Sequence, residues 1–232
     1  MKTAIKLAMV EVLLAGAIWF GTGGGLVMGQ VDEGQKSVDA ALAGGNTAVK
    51  FGPENPFYSA STLPFQAPPF DRIKDTDYQP ALEAGMAEQK REIQAIVDNP
   101  APPTFDNTLV ALETSGQLYG RVAQVFDGVT QANTNDVLQK VDEVESPKRA
   151  AHDDSIFLNK ALFKRVAAVY EQMDSLKLDA ESRRLVEIYY KHFVHQGANL
   201  SEADKAKLKA LNEEESRLEN SFRSKLLAAT KA

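Results

Sequence analysis

From residue 77 onward, hydrophobic positions recur at three- and four-residue spacing, which is the period of an amphipathic α-helix. Short polar stretches divide this region into six segments. No stretch alternates for long between apolar and polar residues, as a half-buried strand does. The pattern therefore predicts an all-α protein, in which helix packs on helix through short polar loops.

The first two segments have clear end signals. Asp77 is predicted to cap the first helix, and the Asn-Pro pair at 99–100 ends it. The Pro-Pro-Thr sequence at 102–104 opens the second. Gly116 and Gly120 interrupt that segment and lower its helix propensity, so we expect close packing or a bend there.

The next three segments are bounded by capping residues, proline and glycine. Asn135 starts the third, and Pro147 is expected to kink or break it. The fourth covers residues 162–173. Asp179 caps the fifth, which the Gln-Gly pair at 196–197 closes as a glycine C-cap.

The sixth segment has the clearest pattern. Ser201 and Asp204 match the capping pattern of Ser or Thr followed three residues later by an acidic residue. One apolar stripe follows at near seven-residue spacing and contains Leu208, Leu211, Leu218 and Phe222. We therefore expect one face of this helix to be apolar.

Residues 53–70 alternate prolines with large apolar side chains and are predicted to lie outside any helix. The prolines are Pro53, Pro56, Pro64, Pro68 and Pro69, and the apolar side chains are Phe57, Tyr58, Leu63, Phe65 and Phe70. We interpret this stretch, called the strap below, as an extended segment whose aromatic side chains anchor it on the helical body. The alternative is a polyproline ligand for a recognition domain, which leaves those side chains exposed.

The N-terminal residues have the composition of an export signal. Lys2 and Lys6 precede a mainly apolar run at 7–20, and small residues follow it. Cleavage after the Val-Met-Gly sequence at 27–29 leaves a mature chain that begins at Gln30. The alternative is a retained membrane anchor, and the carboxylate of Glu11 weakens both interpretations.

Three regions follow from these patterns. Residues 1–29 are predicted to be a signal peptide, residues 30–53 a flexible leader rich in small residues, and residues 54–232 the helical body. The predicted location is outside the cytoplasmic membrane, in the periplasm, with no stable membrane span after signal cleavage.

The net charge of −6 and the absence of any basic stripe argue against a nucleic-acid partner. The chain contains no cysteine, which excludes a thiol nucleophile, a cysteine-based zinc site and disulfides. An oxidising compartment is therefore tolerated but not required.

The three histidines of the chain are candidates for chemistry, one pair and one single residue. His192 and His195 are three residues apart on the fifth helix, so both imidazoles lie on one face and could bind a divalent metal. A third ligand is needed, and Glu187 lies off that face. Exposed or partner-facing histidines are the alternative.

The second candidate is His152, which precedes Asp153 and Asp154. An acid beside it would orient a general base, whereas the simpler interpretation is a solvated turn between helices. The chain contains no Gly-x-Ser-x-Gly elbow, no phosphate-binding loop and no His-Glu-x-x-His zinc motif.

The most specific run of the chain is Asn-Pro-Ala-Pro-Pro-Thr-Phe-Asp-Asn-Thr at 99–108. Further informative runs lie at residues 55–57, 63–71, 111–113, 115–116, 198–201 and 211–214. Together these runs resemble the dipeptidyl carboxypeptidases, which belong to the thimet oligopeptidase family of zinc peptidases. The likeness covers residues 55–230.

The resemblance implies a mostly helical, two-lobed enzyme that encloses a deep channel, with this region in its N-terminal lobe. It implies release of C-terminal dipeptides from short peptides by a zinc site in the C-terminal half. No position up to Ala232 matches the zinc ligands or the general base, so no catalytic, cofactor-binding or metal-binding residue is carried over. Zinc is expected in the parent family and not on this chain.

Three hypotheses follow. The first is the N-terminal, channel-shaping part of an exported zinc peptidyl-dipeptidase whose catalytic lobe is absent, and it predicts exposed apolar faces. The second is a self-contained helical module that binds peptides or pairs with a separate catalytic half. The third is a metal site at His192 and His195.

Overall fold

The computed structural model describes residues 50–231, and within them every regular element is helical. Six α-helices are longer than ten residues: α1 Asp75–Val97, α2 Gln117–Ala132, α3 Asp136–Phe157, α4 Lys160–Glu171, α5 Ala180–His195 and α6 Glu202–Lys231. A 3-10 turn at Pro64–Gln66 precedes them. A π-helical turn at Phe105–Val110 continues into one α-helical turn at Ala111–Glu113, between α1 and α2.

The all-α prediction is therefore confirmed for the described residues. The predicted signal peptide at 1–29 and the leader up to residue 49 lie outside them. No helix of residues 50–231 combines the length and the apolar character needed to cross a bilayer.

Two of the predicted N-caps have the expected hydrogen bonds. Asn135 Oδ1 accepts from the backbone N–H of Leu138 at 3.0 Å, and Asp179 Oδ1 accepts from Ser182 N–H at 2.7 Å. Side-chain oxygens at these positions satisfy backbone donors that have no partner inside the helix. Ser201 likewise caps α6, with its Oγ 3.2 Å from Asp204 N.

Two predicted boundaries are wrong. α1 begins at Asp75 rather than after Asp77, whose carboxylate accepts from Lys74 N–H at 2.8 Å from the third helical position. Pro147 does not break α3, which continues for ten residues to Phe157, while the alternative of a kink at Pro147 stays a prediction. An internal proline removes one backbone hydrogen bond and clashes with the preceding turn, which together cost about 3 kcal/mol. The burial of side chains from both halves of α3 offsets this cost.

The glycines of the second segment have different surroundings. Gly116 separates the Ala111–Glu113 turn from α2 and adopts a left-handed conformation with φ 70°. The close packing expected in this segment is confirmed at Gly116, where an added Cβ would lie 2.4 Å from the Gln89 side chain, and is wrong at Gly120, which lies inside α2 with nothing within 4 Å of an added Cβ. A further close approach is at Gly85 of α1, where a Cβ would lie 2.7 Å from Tyr119 Cα.

Two hydrophobic cores share α1 and α3. The first joins the N-terminal halves of α1 and α3 to α2, around Leu82 and Phe126. The second joins the C-terminal ends of α1 and α3 to α4 and α5, around Leu162 and Phe193. Between the two cores lies a polar layer, in which Glu145 and His152 are buried and Gln89, Tyr119 and Arg149 are half-buried.

The strap is anchored only in its first part. Phe57 is buried in the first core, with its ring centroid 5.4 Å from that of Tyr78, and Asn55 Nδ2 donates to Asp77 O at 3.0 Å. Further along the strap the large apolar side chains are solvent-exposed, namely Tyr58, Leu63, Phe65 and Phe70. The anchoring prediction is therefore right for Phe57 and wrong for these four side chains.

Candidate functional site

The run at 99–108, which is the most specific part of the resemblance, folds around one buried arginine. Arg165 of α4 donates from Nη1 to Asn99 O at 2.9 Å and to Ala101 O at 3.3 Å. Its Nη2 donates to Asn107 Oδ1 at 3.1 Å. Because a guanidinium presents its donors in a fixed fork, these three bonds fix the path of the segment across α4.

Asn107 organises the same segment from within. Its Oδ1 accepts from Thr104 N–H at 2.8 Å, and its Nδ2 donates to Pro102 O at 2.9 Å. In return, Asn107 N–H donates to Thr104 Oγ1 at 3.1 Å, which completes a reciprocal cap at the start of the π-helical turn. The asparagine, threonine and prolines of this run therefore have structural roles.

Sequence reasoning missed Arg165. Its position in the sequence does indicate that it faces the core, because residue 165 is three after Leu162 and four before Val169. Those residues are buried in the second core, so an arginine between them lies on the apolar side of α4. A charged residue there needs buried polar partners, and the backbone carbonyls of the 99–108 segment are those partners.

A shallow depression of about 380 Å³ lies beside this segment. It is lined by Glu92, Ala95, Ile96, Asn99, Asn107, Ala111, Thr114 and Ser115. Its polar groups are already occupied: Glu92 Oε2 accepts from Gly116 N–H at 2.7 Å, and Thr114 Oγ1 and Ser115 Oγ donate to backbone carbonyls. The depression therefore offers shape and a few hydrogen-bonding groups, but no hydroxyl is activated by a base.

A second depression, of about 370 Å³, lies within the strap. Its lining consists of Pro53, Asn55, Pro56, Ser59, Ala60, Ser61, Thr62, Leu63, Pro69, Asp71 and Arg72. Neither depression is lined by a histidine.

His152 lies in the polar layer, fully buried inside α3, so the interpretation of a solvated turn is wrong. Its Nε2 is 2.7 Å from Gln89 Oε1, and because that oxygen only accepts, Nε2 carries the proton. Nδ1 is buried without a partner. Burial, and then the positive charge of Lys90, lowers the pKa of His152 to about 4.

The two acids that follow His152 in sequence are not its partners. Asp154 is buried and accepts from Asn212 Nδ2 of α6 at 2.7 Å, while Asp153 is exposed to solvent. The neighbour of the imidazole is instead the Tyr119 ring, with centroids 5.0 Å apart. The arrangement of a base oriented by a carboxylate is therefore not present at His152.

Two ion-pair groups complete the polar layer. Arg149 binds Asp127 with both terminal nitrogens at 2.8 Å and donates from Nε to Tyr119 OH at 3.2 Å. Glu145 is fully buried, and its Oε1 accepts from Lys148 Nζ at 2.7 Å. Lys148 also bonds Glu83 of α1. Burial raises the pKa of Glu145 despite the adjacent ammonium.

The histidines of α5 are placed differently from one another. His192 is half-buried and packs edge-on to Phe157, with ring centroids 4.4 Å apart, while His195 is exposed. Burial, and then the neighbouring His195, lowers the pKa of His192. Glu187 pairs with Arg184 on the same helix at 3.0 Å. His192 thus has a packing role beside the second core.

Among residues 50–231, no three His, Cys, Asp or Glu side chains form a group that could hold a metal ion. The described helices therefore form an all-α body with two cores, and the candidate histidines within it form no nucleophile-base pair.

In comparisons with known proteins, the chain is similar in sequence to one group of enzymes. The chain is 53% identical over 178 residues to a dipeptidyl carboxypeptidase of Salmonella typhimurium and 50% identical over 178 residues to one of Escherichia coli. Each match covers 77% of this chain and 26% of the relative, so the chain spans about a quarter of the length of these relatives. No family model matches the chain.

These relatives confirm the resemblance to dipeptidyl carboxypeptidases that the 99–108 run predicts. The wider assignment to the thimet oligopeptidase family stays a prediction. Because the matched region is a small part of each relative, their activity is not transferred to this chain by identity alone.

Proposed function

We propose that this chain is the N-terminal, channel-forming part of an exported zinc-dependent peptidyl-dipeptidase, which releases C-terminal dipeptides from short peptides. The observation that carries the proposal is the 50–53% identity to two dipeptidyl carboxypeptidases over 178 residues. In this proposal the chain alone is inactive, and its partners are peptides and a catalytic lobe.

The contribution of the described helices is shape. A peptidase that acts only on short peptides needs walls that exclude folded chains, and such walls must resist deformation. Two cores joined by a polar layer, with the 99–108 segment fixed by Arg165, support a body of that kind.

Zinc supplies the attacking water and polarises the scissile carbonyl in metallopeptidases. The donor set of the described residues does not fit this ion: His152 is buried against Gln89, and His192 packs on Phe157 with Glu187 paired elsewhere. We therefore assign no zinc ligand and no catalytic step to residues 50–231.

A chimeric enzyme tests the proposal. Residues 55–230 replace the matching segment of the E. coli dipeptidyl carboxypeptidase, and dipeptide release is measured on peptides of increasing length. We expect an active chimera that keeps the parent enzyme's length preference, and no activity from the isolated chain. A chimera that folds and binds zinc as the parent does, but releases no dipeptide, contradicts the proposal.

The export part of the proposal has a separate test. It is supported by the basic start and the apolar run of the N-terminal residues. After expression in a Gram-negative host, N-terminal sequencing of the periplasmic fraction is expected to give a mature protein that begins at Gln30. Recovery of the chain with an intact Met1 in the cytoplasmic fraction contradicts export.

The alternative is a self-contained module that binds peptides or another protein without catalysis. The exposed side chains of the strap favour it, since Tyr58, Phe65 and Phe70 are more than half exposed. Calorimetric titration of the purified chain with short peptides separates the two. Saturable binding by the chain alone, together with an inactive chimera, supports the module.

A further inference from the structure

Glu145 is a carboxyl group on the core side of α3. It lies four residues after Val141 and seven before His152, and since all three are buried they share one face of the helix. Its Oε1 accepts from Lys148 Nζ at 2.7 Å, whereas its Oε2 is buried without a hydrogen-bond partner. A buried acceptor without a donor is costly, and a charged one more so, which disfavours the ionised form of Glu145.

Glu83 of α1 brings a second carboxyl group to the same ammonium. Lys148 bonds Glu83 as well as Glu145, and the two carboxyl groups lie within hydrogen-bonding reach of each other. The side chain of Glu145 has no exposed surface, while those of Glu83 and Lys148 are 46% and 42% exposed. If both carboxyl groups are ionised, one negative charge is in excess, and it is most costly at Glu145.

The neighbouring elements do not supply a second cation. Along α1 the next cation after Glu83 is Lys90, whose charge acts on His152. The charged side chains by which α2 and α6 contact α3 or the strap have other partners, namely Arg121 with the backbone oxygen of Phe57, Asp127 with Arg149, and Arg223 with Asp142. Within residues 50–231, therefore, Lys148 is the one cation paired with either carboxyl group.

We propose that Glu83 and Glu145 share one proton, which Glu145 carries, so that a carboxyl–carboxylate hydrogen bond joins α1 to α3. In this arrangement Oε1 of Glu145 remains the acceptor of Lys148, and Oε2–H donates to Glu83. The three groups are then neutral together, and the buried oxygen gains a partner. When the proton leaves, two negative charges face each other and the contact between the helices weakens. The inference does not rest on the proposed peptidase role.

The pKa directions of the two carboxyl groups agree with this assignment. Burial raises the pKa of Glu145, and the charge of Glu83 adds to that effect, although Lys148 acts in the opposite direction. Partial burial also acts to raise the pKa of Glu83, but its hydrogen bond to Lys148 and the charge of Lys148 lower it overall. Because the pKa of Glu145 is raised in the fold, its contribution to stability is present at low pH and is lost as pH rises through that pKa.

α1 and α3 are joined at a second proton-dependent place, with the opposite sign. His152 of α3 is bonded to Gln89 of α1 and has a pKa lowered to about 4, so this contact loses stability as pH falls. The Glu83–Glu145 contact loses stability as pH rises. The junction of the two helices is therefore closed over a range of pH that His152 limits from below and Glu145 limits from above.

Glu145→Gln tests the proton on Glu145. Glutamine has nearly the shape of the protonated acid, can donate to Glu83 and does not titrate. Urea denaturation of wild type and variant is measured from about pH 5 to about pH 9, and the difference cancels the titration of His152, which both proteins keep. We expect the difference in free energy of unfolding, in favour of Glu145→Gln, to grow with pH. A difference that stays constant or shrinks overturns the proposal.

The control is Glu143→Gln, which removes a carboxylate from an exposed pair with Lys140 on the same helix. Its stability is expected to run parallel to that of wild type over the whole range. A rise with pH that equals the rise in Glu145→Gln shows a general effect of net charge and also overturns the proposal.

Glu83→Gln tests the sharing. It removes the competing carboxylate and leaves Lys148 to Glu145 alone, so Glu145 is expected to ionise at lower pH. Nuclear magnetic resonance of isotope-labelled glutamate carboxyl carbons measures this, with the Glu145 signal assigned by its absence from Glu145→Gln. In wild type we expect that signal to titrate above the exposed glutamates, and in Glu83→Gln to move down towards them.

Two results of this measurement contradict the shared proton. A Glu145 signal that titrates together with the exposed glutamates in wild type shows that the buried group is ionised. A midpoint that is unchanged in Glu83→Gln shows that burial alone holds the proton. Far-ultraviolet circular dichroism on each sample checks that the helices remain folded.

Discussion

The guanidinium of Arg165 donates a hydrogen bond from Nη2 to Oδ1 of Asn107 at 3.1 Å, although the two residues are 58 positions apart in the chain. The same guanidinium binds the backbone oxygens of Asn99 and Ala101. One buried cation thus joins α4 to the segment between α1 and the π-helical turn. The 99–108 run, which most clearly resembles a peptidase family, therefore connects α4 to the segment that follows α1.

Replacing Arg165 tests how much its hydrogen bonds to the 99–108 segment contribute to stability. Arg165→Met keeps much of the side-chain volume but leaves buried carbonyls without a donor, so we expect a loss of about 2–4 kcal/mol in the free energy of unfolding. Urea denaturation measures it. The control is Arg184→Met at the exposed Arg184–Glu187 pair, with an expected change of about 0.5 kcal/mol or less. Equal effects of the two substitutions contradict the structural role.

The coupling between Arg165 and Asn107 is a separate prediction. In a double-mutant cycle with Arg165→Met and Asn107→Ala, we expect an interaction free energy of about 1–2 kcal/mol, because one charge-assisted hydrogen bond joins them. Additive effects of the two substitutions argue that the bond contributes little. Chemical denaturation of the four proteins under one buffer condition gives the value.

Gly116 and Gly120 form a matched pair for a test of backbone conformation. Gly116 has φ 70°, and an added Cβ would lie 2.4 Å from the Gln89 side chain, so Gly116→Ala is expected to destabilise by about 1–3 kcal/mol. Gly120 lies in a helix with open space beside it, so Gly120→Ala is expected to stabilise by about 0.5–1 kcal/mol. Thermal melting compares the two variants, and a shift of the same sign in both contradicts the assignment.

His152 predicts a specific loss of stability in acid. Its pKa is lowered in the fold to about 4, so between pH 6.5 and 4 the unfolded chain binds a proton that the folded chain does not. Stability is therefore lost as pH falls through this window. A shift from 6.5 to about 4 corresponds to about 3 kcal/mol at most.

The measurement compares wild type with His152→Gln, which has no titrating group at this position. We expect the stability difference between the two proteins to change by up to about 3 kcal/mol in favour of His152→Gln from pH 7 to pH 4. His195→Gln, at an exposed position, is the control and is expected to parallel wild type. A constant difference between wild type and His152→Gln across this range rules out the titration of His152 as a source of acid sensitivity.

The strap gives a further matched pair. Phe57 is 2% exposed and packs on Tyr78, so Phe57→Ala is expected to cost about 3–5 kcal/mol and to release the strap to proteolysis. Phe65 is fully exposed, so Phe65→Ala is expected to change stability by about 0.5 kcal/mol or less. Limited proteolysis followed by mass spectrometry locates the cleavage. Equal cleavage of the two variants indicates that Phe57 is not the anchor.

Much of the helical architecture was accessible from local sequence. Asn135, Asp179 and Ser201 cap helices where their side chains can reach only nearby backbone donors, and Gly197 ends α5 with φ 93°. These interactions span a few residues, so the sequence order contains them. Pro147 shows the limit of local rules, because packing along α3 outweighs its cost.

The candidate chemistry was less accessible. His152 and its following acids are adjacent in sequence, but successive residues of a helix face different directions, and only the packing of α3 decides which of them is buried. Arg165 was missed for the related reason that its partners lie on a distant segment. The same packing determines which apolar faces are covered, and it leaves Leu211, Leu218 and Phe222 of α6 exposed.

The sequence by itself determined the helical class, most helix ends and the resemblance to dipeptidyl carboxypeptidases, since these depend on short-range periodicity, capping and residue identity. The tertiary structure alone decided that the 99–108 segment closes on Arg165, that His152 is neutral and buried against Gln89, and that α6 meets α3 through polar groups. Each of these depends on contacts between residues far apart in the chain, and burial, which sets their energies, exists only once the helices have packed.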